Sequence, residues 1–134
     1  MTALQTLVDQ AALTPSAVAR RAGISTSELH ALRHLSDAPL GPAELARRLG
    51  VTTAASSGIV DRLEGHGHVE RRQHTQDGRR TEVMLTDSGR RELFRLMAPM
   101  FAELAELDAT LSDDERNTVN RFLAGATAAM RAVI

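Results

Sequence analysis

The chain of 134 residues has no cysteine, so disulfides, thiolate metal sites and cysteine nucleophiles are excluded. Its length fits a single domain with its own core, and its formal net charge is only −1. The first residues lack the pattern of a secretory signal, and no apolar run is long enough to cross a bilayer. A cytoplasmic protein with no membrane partner is therefore expected.

The charged residues are unevenly distributed along the chain. Residues 14–91 carry 12 arginines and nine acidic residues, whereas residues 92–134 carry four arginines and seven acidic residues. A basic central region beside an acidic C-terminal region indicates one surface that faces a polyanion and another that serves a different purpose.

Two short helices are predicted at the N-terminus. The first has apolar residues at helical spacing, namely Leu4, Leu7, Val8 and Ala11. Thr14 and Pro15 have the composition of an N-cap and an N1 proline, so a second helix is predicted to begin there and to stop at Gly23.

The next two predicted helices are separated by a turn at residues 37–42. Ser25 and Glu28 have the spacing of a capping box, and the leucines behind them predict a helix to about Ser36. A short helix follows over Pro42–Leu49, and Gly50 is predicted to end it.

A further helix is predicted from Thr52 or Thr53 to about Glu64. Its first turns carry small side chains, and its second half carries apolar ones. A recognition helix needs this division, because its N-terminal half enters the major groove while its C-terminal half packs on the domain. Two packed helices joined by a glycine turn explain the pattern equally well when it is taken alone. The residues predicted to contact DNA are Thr53, Ala54, Ser56, Ser57, Gly58 and Arg62.

A β-hairpin is predicted next, with strands over 69–74 and 80–86 joined by a turn at Thr75–Gly78. Such a hairpin directly after a recognition helix can serve as a DNA-contacting wing. The alternative is a solvated hairpin whose charges protect its edge strands. The helix pair and the basic hairpin together favour DNA binding. The wing arginines predicted to contact DNA are Arg71, Arg72, Arg79 and Arg80.

Two long helices complete the chain. The first is predicted from about Asp87 to Ala109, with a bend at Pro99, and a capping box at Ser112–Glu115 opens the second, which runs to about Ala132. Their apolar residues recur four and three positions apart, which is typical of a core or of a helical dimer interface. The residues predicted to form a homodimer interface are Leu4, Leu7, Leu104, Leu107, Phe122, Leu123 and Met130.

Three motifs lie within residues 44–89. The predicted recognition helix ends in Val60–Glu64 (VDRLE), the hairpin contains Asp77-Gly-Arg79, and Leu85–Gly89 (LTDSG) leads into the first long helix. Together these motifs resemble the MarR family of bacterial winged helix-turn-helix transcription regulators, and the resemblance extends over about residues 28–134.

The resemblance implies a mainly α fold with a small β-hairpin, in which residues 37–87 form a winged helix-turn-helix lobe. Residues 1–36 and 88–134 would supply the N- and C-terminal dimerisation helices of a homodimer. It also implies binding to a pseudo-palindromic double-stranded DNA operator, with repression relieved by a small-molecule effector and no cofactor. In the wing, Arg79 takes the place of an arginine that contacts the minor groove, and Asp77 would orient it.

His30 and His34 share one helix face, with Asp37 nearby, an arrangement that zinc can use. No cysteine or further ligand pattern accompanies them, so a solvated or pocket-lining face is the favoured interpretation. Because regulators of this family bind effectors and some sense metals, His30, Arg33 and His34 are the candidate ligand-binding residues. A metal-responsive regulator stays an alternative.

The sequence shows no glycine-rich nucleotide loop, G-x-S-x-G motif or HExxH motif. A regulator without enzymatic activity is therefore predicted. The alternative from another class is a helical dimer that acts as a protein-interaction scaffold, which would explain the apolar seam but not the arginines of the hairpin.

Overall fold

The computed structural model describes residues 2–74 and 76–134. Over this part of the chain, the elements are α1 (Thr2–Ala22), α2 (Thr26–Leu35), α3 (Pro42–Leu49), α4 (Thr53–Gly65), β1 (Val69–Gln73), β2 (Thr81–Leu85), α5 (Asp87–Ala109) and α6 (Asp113–Arg131). The predicted mainly α class with a small β-hairpin is confirmed. No helix within the described ranges is both long and apolar enough to cross a membrane.

The chain divides into two compact units, of which the first ends at Leu96 and the second begins at Met97. The first unit holds α1 to β2 and the start of α5, and the second holds the rest of α5 and all of α6. The division into dimerisation helices (1–36 and 88–134) and a winged lobe (37–87) stays a prediction.

Helix α1 is continuous, and the prediction of two N-terminal helices is wrong. Pro15 lies inside it, where it lacks the N–H that would bond to the carbonyl four residues earlier. Thr14, predicted as an N-cap, is an interior residue whose hydroxyl donates to the Gln10 carbonyl at 2.9 Å. The loss of one donor does not end the helix, because the turns on either side keep their own bonds.

Side-chain caps begin α2 and α6 where the sequence predicts them. Ser25 Oγ accepts the Glu28 N–H at 3.1 Å, and Ser112 and Glu115 form both bonds of a capping box. The Ser112 backbone N–H also lowers the pKa of the Glu115 carboxyl. At α2 the carboxylate of Glu28 instead accepts from the Ser25 hydroxyl at 3.2 Å, which leaves it available for another element.

One apolar core joins α2, α3, α4 and the hairpin. Leu40, predicted to lie in a turn, pairs with Val83 of β2 through N–H···O bonds of 3.0 and 2.8 Å. Strand β2 therefore has backbone partners on both edges near its buried end. The buried members of the core are Ala31, Leu32, Leu35, Leu45, Ile59, Val60, Leu63, Val69, Val83 and Leu85.

The start of α5 depends on a close approach between two backbones. The Thr86 N–H donates to the His68 carbonyl at 3.1 Å, and the Thr86 hydroxyl donates to the Gly67 carbonyl at 2.6 Å. The same hydroxyl accepts the Gly89 N–H at 3.0 Å. A Cβ on Gly89 would overlap the His68 carbonyl. The Leu-Thr-x-x-Gly motif is thus explained, since threonine caps the helix and glycine admits the backbone that leads into β1.

Gly89→Ala is expected to lower the free energy of unfolding by about 1–3 kcal/mol, the usual cost of overpacking, because the added methyl must displace the His68 backbone. Urea denaturation measures the change. Gly65→Ala is the matched control, since a Cβ there meets no atom within 4 Å and alanine favours helix. Equal stability of the two variants would contradict the close approach.

Candidate nucleic-acid interface

Helix α4 exposes most side chains of its first half and buries the apolar side chains of its second half. Gly50 ends α3 with a φ of 69°, a left-handed conformation that favours glycine. Thr52 Oγ1 then caps α4 by accepting the Ala55 N–H at 3.1 Å. The side chains exposed beyond the cap are small: Thr53, Ala54, Ala55 and Ser57. The side chains that anchor the helix in the core are Ile59, Val60 and Leu63. The predicted division of this helix is confirmed.

Ser56 is a correction to the predicted site. Its side chain is 1% exposed and faces the core, so it does not belong to the surface that could meet DNA. The spacing explains this burial, because Ser56 precedes Ile59, Val60 and Leu63 by three, four and seven positions and so lies on the same helix face. Its Oγ is buried without a hydrogen-bond partner in the part of the chain that the structure describes. Gly58 is half-buried beside this face.

A buried carboxylate, missed by sequence reasoning, holds α4 against α2. Glu28 is 4% exposed, and its Oε1 accepts from Arg62 Nε at 3.0 Å. The other oxygen, Oε2, lies 3.9 Å from His66 Nε2. Arg62, predicted to contact DNA, thus forms an ion pair that fixes α4, although its side chain is 56% exposed. The capping-box spacing explains only the local role of Glu28; its partner lies 34 residues away.

Arg71 of β1 extends over α4 rather than into solvent. Its Nη2 lies 2.9 Å from Asp61 Oδ1, and its Nη1 contacts Glu64 Oε1. Nη2 also donates to the backbone oxygen of Ser57 at 3.2 Å and to its Oγ at 3.3 Å. This side chain therefore connects the hairpin to α4, and its guanidinium is engaged by two carboxylates of that helix.

Side-chain bonds shape the end of the hairpin. His74 Nδ1 accepts the backbone N–H groups of Gln76 and Asp77 at 3.1 and 3.2 Å. Asp77 Oδ1 in turn accepts the backbone N–H of Arg79 at 3.1 Å. The carboxylate therefore holds the backbone that carries the wing arginine.

The hairpin presents basic side chains on its surface. Thr75, the first residue of the predicted turn, lies outside the described residues, whereas the strand register is clear and pairs Val69 with Leu85 and Gln73 with Thr81. The predicted wing arginines that are exposed are Arg72, Arg79 and Arg80. A helix with small exposed side chains thus lies directly before a basic hairpin.

Comparison with known proteins shows which proteins this combination of helix and hairpin resembles. Residues 22–80 match a family model described as the MarR family. The apo structure of wild-type MarR from E. coli superposes with a TM-score of 0.67 at 26% identity, over 94% of this chain and 96% of MarR. The central part of this chain is therefore similar to the MarR family.

Two further proteins are similar to this chain. RV1404 from Mycobacterium tuberculosis is 27% identical, with a TM-score of 0.73 over 96% of this chain and 89% of RV1404. The HTH-type transcriptional repressor YetL of Bacillus subtilis is 34% identical over 70 residues. That alignment covers 52% of this chain but only 42% of YetL.

The candidate ligand-binding residues lie on α2. His30 and His34 are half-buried and Arg33 is exposed. Burial lowers the pKa of His34, and the positive charges of Arg48, His30 and Arg33 lower it further. Within residues 2–74 and 76–134 there is no group of three or more His, Asp or Glu side chains placed to hold a metal ion.

The His34 pKa predicts how stability depends on pH. Because folding lowers this pKa, the unfolded chain binds more protons between the folded value and the ordinary value of about 6.5. The contribution of neutral His34 is therefore complete above about pH 6.5 and is lost as the pH falls below it. His34→Gln should flatten this part of the profile, measured by urea denaturation between about pH 5 and pH 8. Parallel profiles for the two proteins would contradict the prediction.

The predicted dimer residues include many exposed apolar side chains. Leu107 is 63% exposed and Phe122 is 60% exposed, values that are unusual for side chains of this size unless they meet a partner. Leu4 is half-buried. The other exposed members are Leu7, Leu104, Leu123 and Met130.

Proposed function

We propose that this protein is a MarR-type regulator that acts in the cytoplasm as a homodimeric, DNA-binding transcription repressor with no catalytic step of its own. The observation that carries the proposal is the exposed, small-residue half of α4 beside the arginines of the hairpin. Small side chains let the backbone of α4 approach the major groove, where the Thr53 and Ser57 hydroxyls reach base edges. Repression is proposed because the relative YetL is named a transcriptional repressor.

The wing arginines supply charge rather than sequence information in this proposal. Arg72, Arg79 and Arg80 are exposed and can meet phosphates or enter the adjacent minor groove. Arg62 and Arg71 are paired with carboxylates, so their positive charge is largely compensated within the protein. The proposed DNA-contacting set is therefore smaller than the set of arginines near the interface.

Dimer formation is proposed to place two such lobes on a pseudo-palindromic operator. The exposed apolar residues of α5 and α6 support it, because side chains of this size are normally covered by a partner. We also propose that a small anionic ligand binds the face formed by His30, Arg33 and His34 and relieves repression. Such a ligand acts only through unequal affinity for the DNA-binding and non-binding states.

Arg79→Ala tests the wing. The variant removes a phosphate-facing charge, so affinity should fall on a selected operator and on scrambled duplex alike. The slope of log affinity against log salt should decrease by about one. Salt-titrated fluorescence anisotropy measures both quantities. Arg21→Ala, which removes an exposed arginine from α1, is the control and should leave both duplexes bound as before. If Arg79→Ala behaves like this control, the hairpin is not a wing.

Leu104→Glu tests the dimer. Leu104 is 51% exposed, and a carboxylate in an apolar interface is costly to desolvate, so the variant should dissociate at concentrations where the parent is dimeric. Light scattering gives the mass of each protein at micromolar concentration. Glu103→Gln, at the neighbouring exposed position, should remain dimeric. A monomeric parent protein would rule out the dimer.

A further inference from the structure

The oxygen of the Ser57 hydroxyl already accepts one hydrogen bond, from Arg71. A serine hydroxyl offers one proton to donate and two lone pairs to accept. Arg71 Nη2 donates to Ser57 Oγ at 3.3 Å while it also donates to the Ser57 carbonyl at 3.2 Å. Because a guanidinium has donors and no acceptor, Arg71 can bond to this oxygen only as a donor.

The proton of the same hydroxyl is free. Ser57 is exposed, and its hydroxyl donates to no acceptor among residues 2–74 and 76–134. Four other helical hydroxyls of this protein, by contrast, donate to the carbonyl four residues earlier; these are Thr6, Thr14, Thr118 and Thr127. Arg71 thus occupies one lone pair of the Ser57 oxygen and leaves the hydroxyl proton to an acceptor outside the protein.

We propose that Ser57 reads the operator as a hydrogen-bond donor and that Arg71 is the positioning residue that gives it this character. The inference rests on the proposed function and specifies the base edge that is recognised. In the major groove, guanine, adenine and thymine present acceptors, whereas cytosine presents its N4 amino group as a donor. The second lone pair of Ser57 Oγ could accept from that amino group, but the Arg71 guanidinium beside it repels a further donor. The base that faces Ser57 is therefore a purine or thymine rather than cytosine.

The positive charge of Arg71 reinforces this selection. Its guanidinium lies beside Ser57 Oγ and disfavours the approach of a second donor, such as a cytosine amino group. The guanidinium also compensates Asp61 and Glu64, which would otherwise repel the phosphates near α4. Loss of Arg71 should therefore have two separable effects, a general loss of affinity and a change in preference at one base position.

The experiment is selection of bound sequences from random duplex DNA, repeated with the parent protein, Ser57→Ala, Arg71→Met and Arg72→Met. Arg72→Met is the matched control, because it removes an exposed arginine from the same strand without touching Ser57. The parent should exclude cytosine at one half-site position, by about tenfold for a lost hydrogen bond. Ser57→Ala and Arg71→Met should both admit cytosine there, and Arg72→Met should continue to exclude it.

A second measurement keeps the assignment testable if Arg71→Met fails to fold. An adenine selected opposite Ser57 is replaced by its 7-deaza analogue, a guanine in turn by analogues that lack N7 or O6, or a thymine by a base lacking O4, so that the acceptor is lost. The parent should lose about tenfold in affinity, and Ser57→Ala should lose none. A preference that is unchanged in Ser57→Ala, or cytosine as the favoured base at the position it alters, overturns the assignment while DNA binding stands. A parent protein that retains no duplex overturns the proposed function as well.

Discussion

The division of α4 into a buried face and an exposed face determines the rest of the interface. Ile59, Val60 and Leu63 are each less than 5% exposed, and burial of such side chains contributes roughly 1.5–3 kcal/mol each. Their spacing fixes the rotation of the helix, which turns Ser56 inward and Ser57 outward. Because the core anchors α4 along this side, the opposite side of the helix can carry small exposed side chains.

Ion pairs complete the positioning that the core begins. Glu28 is buried on α2, and its bond to Arg62 joins α2 to α4 on one side. Arg71 joins α4 to the hairpin on the other side. Hydrogen bonds to charged groups contribute about 1.5–3 kcal/mol, and the loss of one partner leaves a costly charge behind. These two arginines therefore fix the geometry of the interface, and the remaining exposed arginines determine its charge.

Interactions between residues close in sequence could be predicted from the sequence, whereas interactions between residues far apart in sequence could not. Caps such as Ser25 and Ser112 lie three residues before the N–H groups that donate to them, so the starts of α2 and α6 followed from spacing alone. Pro15 misled the prediction, because a proline that often begins a helix is also tolerated inside one when the flanking turns hold. Leu40 and Arg71 acquired their roles from strands and helices that only the folded chain brings near. The exposure of Ser57 agrees with its predicted position. The burial of Ser56 was missed, although its helical spacing to Ile59 and Leu63 indicates it.

The junction at Thr86 has a mechanical consequence. A single residue separates β2 from α5, and the bonds among Thr86, Gly67, His68 and Gly89 tie the first turn of α5 to the strand on the far side of the hairpin. Three of these bonds belong to Thr86, one through its backbone N–H and two through its hydroxyl. Loss of that single hydroxyl therefore removes two links between the hairpin and the helix at once, while the backbone link to His68 remains.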